Sequence, residues 1–541
     1  MMAKRHRSLD IFNPTLGIKS DAPTDLIDAR AMPFGNVQNN KCYYGVNQKE
    51  YGTSLFATGS AAVITGGAPT FLFEAQFPNS SLLQVHTPLS VLKYTAGLDG
   101  YVSDGQAFAG TYADFWSGVM HNDAYIYSNG LAPLQVKSSF SATGTNMASA
   151  VSPTTYSAWS LLSMRDHLLL YHTFENGSEF YKRVRWSKKG VLTYTAATTD
   201  FASGVAGSID IQDGEGELKC AVPLSGGAAL YFEHCVHYQF WVGGDEVWRF
   251  QKVVPGIGTP GRRTAISYSD VNYFLSQDNV YAFAGGSDLR PIGNPIKQAL
   301  FSEINREFIN TAFLDFDPRE NELSINVPTG TATEPNVCWV YRVADDAWTR
   351  KIRQHSASGR FSRRTGLTIG ELVGPIGAQN WTFGEAVVRV DAEVKLFGDP
   401  SGRIVKHDIA RYSLSQTGTD VAQTFIYETP DLVGNRTKFG YSQDPLEANY
   451  VENLVTEQRW QRFTLNVFGN GTADVLFSTD RGSTFQPFSA SPITIVPGAT
   501  SYPFDVDVSN PYFRARVVNT GQNEFIGIKY AKVDFIPGAN Q

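Results

Sequence analysis

Between residues 261 and 350 short runs of alternating apolar and polar residues follow one another with turn residues between them and almost no helix. That pattern restricts what the chain can build. Ile266–Leu275 passes through Gln277-Asp278-Asn279 into Val280–Phe283, and Phe313–Phe316 turns at Asp317–Asn321 into Leu323–Val327. A third unit sets Cys338–Tyr341 and Ala347–Thr349 on either side of Val343–Asp346. A period of two bounded by Asp, Asn, Pro and Gly predicts half-buried strands in antiparallel hairpins. Short strands in series predict a propeller or a sandwich.

At 541 residues the chain has room for several cores. Aromatic residues at 13%, 49 glycines and only 18% charged residues favour strands, tight turns and buried rings over surface helices. The formal charge of −7 argues against a free-standing nucleic-acid binder held by phosphate contacts. The basic start, Met1–Arg7, is not followed by the apolar core of a secretory signal. No run reaches the roughly 20 apolar residues of a membrane helix, so the expectation is a soluble chain. Four dispersed cysteines (Cys42, Cys220, Cys235, Cys338) without a C-x-x-C pair predict buried thiols.

Residues 1–55 read as an extended N-terminal arm that lies on something else. Residues 56–430 carry strand-like runs, among them Ala61–Ile64, Leu82–Val85, Ala124–Tyr127, Leu168–Tyr171, Arg183–Trp186, Leu230–Phe232 and Tyr238–Val242, punctuated by Gly-Gly pairs. This is the predicted β-propeller body, although no strict repeat period is present. One helix is expected over about 294–310, with Asn294 as its cap and Pro295 in its first turn. A polar connector over 431–457 leads to strands at Trp460–Val467, Ala473–Phe477, Phe485–Phe488, Ile493–Val496, Tyr512–Val518 and Gly527–Phe535. Residues 458–541 are therefore predicted to form a C-terminal antiparallel β-sandwich.

Motifs with a chemical reading fare poorly against their structural ones. Ser478–Phe485 matches the Asp-box hairpin, in which Asp480 accepts backbone N–H groups and Gly482 takes a conformation other residues resist. Gly256-Ile-Gly-Thr-Pro-Gly261 satisfies G-x-G-x-x-G but runs on into strand-like residues where a phosphate-binding helix would start. Asp213, Glu215 and Glu217 could serve glycoside hydrolysis or calcium binding, and read better as a solvated turn. His234 and His237 fall on opposite faces of a strand and cannot share an ion without a bulge. The sequence nominates no catalytic, cofactor-binding or metal-ligating residue and no cofactor.

Taken in order, several segments resemble the tail nozzle, or DNA-stabilising tail protein, of short-tailed bacteriophages. They are Asp21–Asp25, Asn36–Asn40 and Gln48–Gly52 (with Glu50 where family members often carry Arg), His121–Gly130, Arg183–Ser187, Asp200-Phe201, Gly207–Ile211, Tyr273–Ser276, Asn279–Gly285 and Phe313–Trp348. The resemblance implies a non-enzymatic structural virion protein, made in the bacterial host's cytoplasm and located in the virion tail. It implies a homo-hexameric ring below the portal and its adaptor (head-to-tail connector) ring. Such a ring retains the genome, conducts double-stranded DNA during ejection without sequence-specific binding, and could contact tail fibres or tailspikes. Six copies at −7 each would carry a formal −42, and an acidic lumen lets DNA pass without sticking. The competing readings are a carbohydrate-binding or glycan-cleaving propeller (a receptor-binding tail protein or a sialidase-like enzyme) and a monomeric scaffold unrelated to phage.

Overall fold

The computed structural model describes residues 7–12, 14–23, 26–43, 45–78, 80–193, 200–244, 246–362, 393–408, 412–416, 419–433 and 457–537. Seven four-stranded antiparallel sheets follow in chain order: blade 1 (71–107), blade 2 (117–146), blade 3 (156–210), blade 4 (218–255), blade 5 (265–291), blade 6 (313–352) and blade 7. The first strand of each blade touches the first strand of the next, and the last touches the first, which closes a ring. The body is a seven-bladed β-propeller.

Local sequence explains the hairpins. Asn122-Asp123, Arg165-Asp166 and Ser269-Asp270 each span two residues between paired strands, with both residues at positive φ. This is the backbone twist that matches right-handed strands, and Asn and Asp tolerate it best. The Ser269-Asp270 turn divides the stretch 266–275, which periodicity alone had joined: Ala265–Tyr268 and Val271–Leu275 are separate strands. Ala61–Ile64 is a loop and no strand, and Ala62 and Ile64 instead fill the interface between blades 7 and 1.

Blade 7 is assembled from distant parts of the chain. Ala357–Phe361, Val394–Asp399 and Arg403–Asp408 supply three strands, and the fourth is Gly52–Leu55 from the N-terminal region. Pairing of the two ends of the propeller within one sheet ties the ring shut. Residues 52–55 thus belong to the propeller and not to the arm.

The expected helix at 294–310 is three short pieces. A 3-10 turn at Asn294–Ile296 leads into one α-helix, Lys297–Glu303, and a further 3-10 segment covers Arg306–Thr311. Ile304 breaks the run by taking extended angles (φ −58, ψ 130) and bridging to Thr329, while Asn305 caps the second 3-10 segment through the N–H of Glu307. Asn294 caps nothing; its side chain accepts from Asn279 at 2.7 Å. Pro295 does sit in the first turn.

The C-terminal sheet domain is built around one 21-residue strand, Gln458–Ser478, which replaces the two strands expected there. Residues 458–470 pair with Thr500–Asn510 and Phe525–Pro537, and residues 471–478 pair with Tyr512–Asn519 and two short strands. The changeover falls at Gly469 and Gly471, both at positive φ, where a Cβ on Gly469 would meet the Phe525 backbone. The domain extends beyond 458–541, because Phe425–Glu428 and Leu432–Val433 pair with Tyr512–Asn519. Arg7–Phe12 and the hairpin Asn40–Tyr43/Val46–Lys49 add strands from the other end of the chain. The connector itself, 434–456, lies outside the described residues, as do Met1–His6.

Candidate functional site: an ionic seam between two blades

Six apolar clusters fill six of the seven interfaces between neighbouring blades. The seventh, between blades 6 and 7, has none among the described residues. The cause is register. In Phe313–Asp317, Leu314 and Phe316 point toward blade 5 and join its core, so Asp315 and Asp317 must point the other way. Pairing places Glu322, Ser324 and Asn326 on that same face, then Cys338, and Lys351 on the outermost strand.

Blade 7 and the N-terminal segment answer this polar face with charge. Lys395 lies 2.8 Å from Asp315 and 3.4 Å from Asp317. Lys351 lies 2.8 Å from Glu50 and 3.4 Å from Glu322, and Lys41 lies 2.9 Å from Glu320 and 3.5 Å from Glu322. His407 approaches Glu50 at 3.8 Å. Glu50 and Lys41 are each only 1% exposed, so these pairs sit in the interior, where Coulomb attraction is strong and desolvation costly. The cavity between them, about 20 Å³, has room for about one water.

The protonation states reflect the pairing. Burial alone would raise the Glu50 carboxyl, but Lys351 and Lys41, with the His407 hydrogen bond, hold it well below the usual range. Glu322 is lowered in the same way against its burial. Burial would lower Lys41 and Lys395, yet the facing carboxylates raise both. His355 and His407 are pushed down, chiefly by burial, and stay neutral. Burial raises the Cys338 thiol, which leaves it unreactive. Glu50, Asp315, Asp317, Glu320 and Glu322 each have a lysine within ion-pair distance. The chemistry of the seam is cohesion between three parts of the chain, not proton transfer or nucleophilic attack.

The N-terminal segment is fixed at the seam by side-chain amides. Asn39 donates to Thr424 O (2.6 Å) and accepts from Ile352 N (3.0 Å), and Asn40 donates to Ile426 O (2.6 Å). Residues 36–52 thereby splice blade 6 to the C-terminal domain before entering blade 7.

The motifs singled out in the sequence fall elsewhere. In the Asp box, Asp480 accepts from Ser478 Oγ (2.6 Å), Thr484 Oγ1 (2.5 Å) and Thr484 N (2.9 Å), and these bonds bring its carboxyl down to about 2. Asp213, Glu215 and Glu217 do not converge on one point: each binds its own base, His237 (3.1 Å), Lys252 (2.9 Å) and Lys219 (2.8 Å). His237 is buried on the strand Cys235–Trp241, while His234 lies exposed in the bend before it, so strand faces are not the reason the two share no ion. Gly256–Gly261 is a loop between blades 4 and 5 with a strand after it, and all four cysteines are buried and free. Among the described residues no group of three His, Cys, Asp or Glu could hold a metal, and no helix is long and apolar enough to cross a membrane.

Of the segments behind the family resemblance, Arg183 and Arg185 in blade 3 clamp Glu175 and Asp210, and Asn129 closes the loop after the second strand of blade 2 by accepting from Leu131 N and Ala132 N. The seam residues were missed in the sequence because Asp315 and Asp317 look like the wet face of a strand. The one available signal was Lys351 on a strand whose neighbours are apolar.

No protein-family model matches the chain, and no curated protein matches it. Among solved structures, the extracellular domain of a two-component system from B. thetaiotaomicron is similar over 67% of this chain at 7% identity, with a TM-score of 0.38. This chain covers 40% of the length of that one. The Neurospora crassa Pan2 WD40 domain is similar over 68% of this chain and 95% of its own length, at 9% identity and a TM-score of 0.36. A family 29 carbohydrate-binding module is similar over 26% of this chain and 70% of its own, at 13% identity and a TM-score of 0.15.

Proposed function

We propose that this chain is a non-enzymatic structural protein of a phage tail, a nozzle subunit that assembles as a ring, most simply a hexamer, below the portal and adaptor. The observation that carries the reading is the ordered set of resembling segments, from Asn36–Asn40 through Phe313–Trp348. The architecture is compatible with it. A closed propeller is a rigid, edge-poor wall element, and the sheet domain offers a second surface for neighbours. Splicing residues 36–52 into both bodies suits a part that must bear load along its axis. Closed rings use heterologous interfaces, so two different faces of the subunit would meet.

Electron cryomicroscopy of the purified full chain, alone and mixed with a candidate adaptor ring, tests the proposal. A six-fold tube with an axial channel is the expected result. A monomer under both conditions overturns it, and glycan turnover by that monomer would move the assignment to a carbohydrate-active propeller.

A further inference from the structure

At one end of the propeller axis the residues that begin or immediately precede the first strands of several blades gather around two consecutive arginines. Arg263 precedes blade 5, and its backbone is pinned to blade 6 by a parallel bridge to Phe313 and by its carbonyl accepting from Leu314 N at 2.8 Å. Its guanidinium donates to Thr70 O at 2.7 Å and lies 5.0, 5.4 and 5.4 Å from the ring centres of Phe313, Phe71 and Phe115. Tyr112 spans the same end, donating to Ser356 O at 2.6 Å. Arg262 stacks on Trp159 at 3.8 Å, donates to Asn129 O at 3.3 Å, and has Asp114 at 3.9 Å.

Among the described residues Arg263 has no carboxylate within ion-pair distance. The acid it senses most, Asp315, is taken by Lys395 at 2.8 Å. In the seam, by contrast, Lys41, Lys351 and Lys395 each lie within ion-pair distance of an acid. The rings of three phenylalanines offset part of the desolvation cost of a guanidinium, but they accept none of its N–H groups. Thr70 O meets one of its five N–H donors, and the residue is only partly covered, so the others are open to a ligand. Desolvation also pulls Arg263 and Arg262 down to about 10, the cost a facing anion would relieve.

We propose that Arg263, with Arg262 beside it, forms an axial binding site for a small carboxylate, taken as a fork-to-fork pair by the guanidinium. A monoanion fits better than a phosphate dianion, because Asp114 and the half-buried Glu334 add negative charge at the same end. The site is independent of the tail reading.

The test is calorimetric titration of the full chain at constant ionic strength with sodium acetate, sodium glucuronate, inorganic phosphate and neutral glucose. Saturable binding of acetate or glucuronate is expected, at least tenfold weaker in Arg263→Gln and only partly weakened in Arg263→Lys, which keeps the charge and loses the fork. No saturable carboxylate binding, equal binding by Arg263→Gln, or saturation by phosphate alone would each overturn the proposal. Should Arg263→Gln fail to fold, Arg263→Lys decides: affinity equal to that of the unaltered chain refutes the guanidinium pair.

Discussion

Lys351 shows how one side chain can hold several elements. It lies between Glu50 from the N-terminal segment and Glu322 from its own blade, with both carboxylates buried. Replacing a buried cation leaves its partners charged and unpaired, which costs far more than the pair contributes. Lys351→Met is expected to lower stability by about 3–5 kcal/mol in urea denaturation. Adding Glu50→Gln and Glu322→Gln to it should restore more than half of the loss. If the triple variant is no better than the single one, packing and not charge sets the cost. Lys351 sits on the strand Ala347–Ile352, part of which is legible in the sequence. Its role is not, because the period of a strand says which residues share a face and not what that face meets.

The strand Gly52–Leu55 is the element on which closure of the propeller depends. Gly52 lies against Ser413, where an added Cβ would stand 2.8 Å from its backbone nitrogen and 2.9 Å from its carbonyl carbon. Backbone cannot yield as a flexible side-chain tip can. Gly52→Ala is expected to cost about 1–3 kcal/mol by overpacking. It should also speed amide hydrogen exchange in Arg403–Asp408, the strand paired with 52–55, before that of blades 2 to 4. Uniform exchange across all blades would show that the strand is not a separate latch. The helix at 294–310 is shorter than its pattern suggests: its apolar spacing is helical, but Ile304 takes extended angles and bridges to Thr329, a contact distant in sequence.

Over the whole molecule, buried histidines and paired carboxylates make acid the destabilising direction. Burial brings His86 down to about 3 and also lowers His355 and His407. The unfolded chain takes up these protons near pH 6.5 while the folded chain refuses them, so stability is full above about pH 7 and falls below 6.5. Each such histidine contributes about 1.4 kcal/mol per pH unit over that window. Glu50, Glu322 and Asp317, whose folded pKa values are lowered, add a second loss as the pH falls below about 4.5 toward those values. Melting temperatures measured from pH 8 to pH 3 should hold steady to pH 7 and then decline. A flat profile between pH 7 and pH 5 would contradict the burial of these rings.

Composition, period-two alternation and turn residues were enough to determine an all-β chain, most of its hairpins and a strand-rich C-terminal domain, because those signals are local. The Asp box was equally legible, since the hydrogen bonds of Ser478 and Asp480 that shape its turn all stay within it. The number of blades, the capture of residues 52–55 by blade 7 and the continuity of one strand through Gly469 were decided in three dimensions. So was the polar seam: Asp315 and Asp317 alternate with Leu314 and Phe316 as any half-exposed strand would. Only the closing of the ring, which brings residues 41 and 50 against 322, 351 and 407, turns that face from one that meets water into one that meets charge.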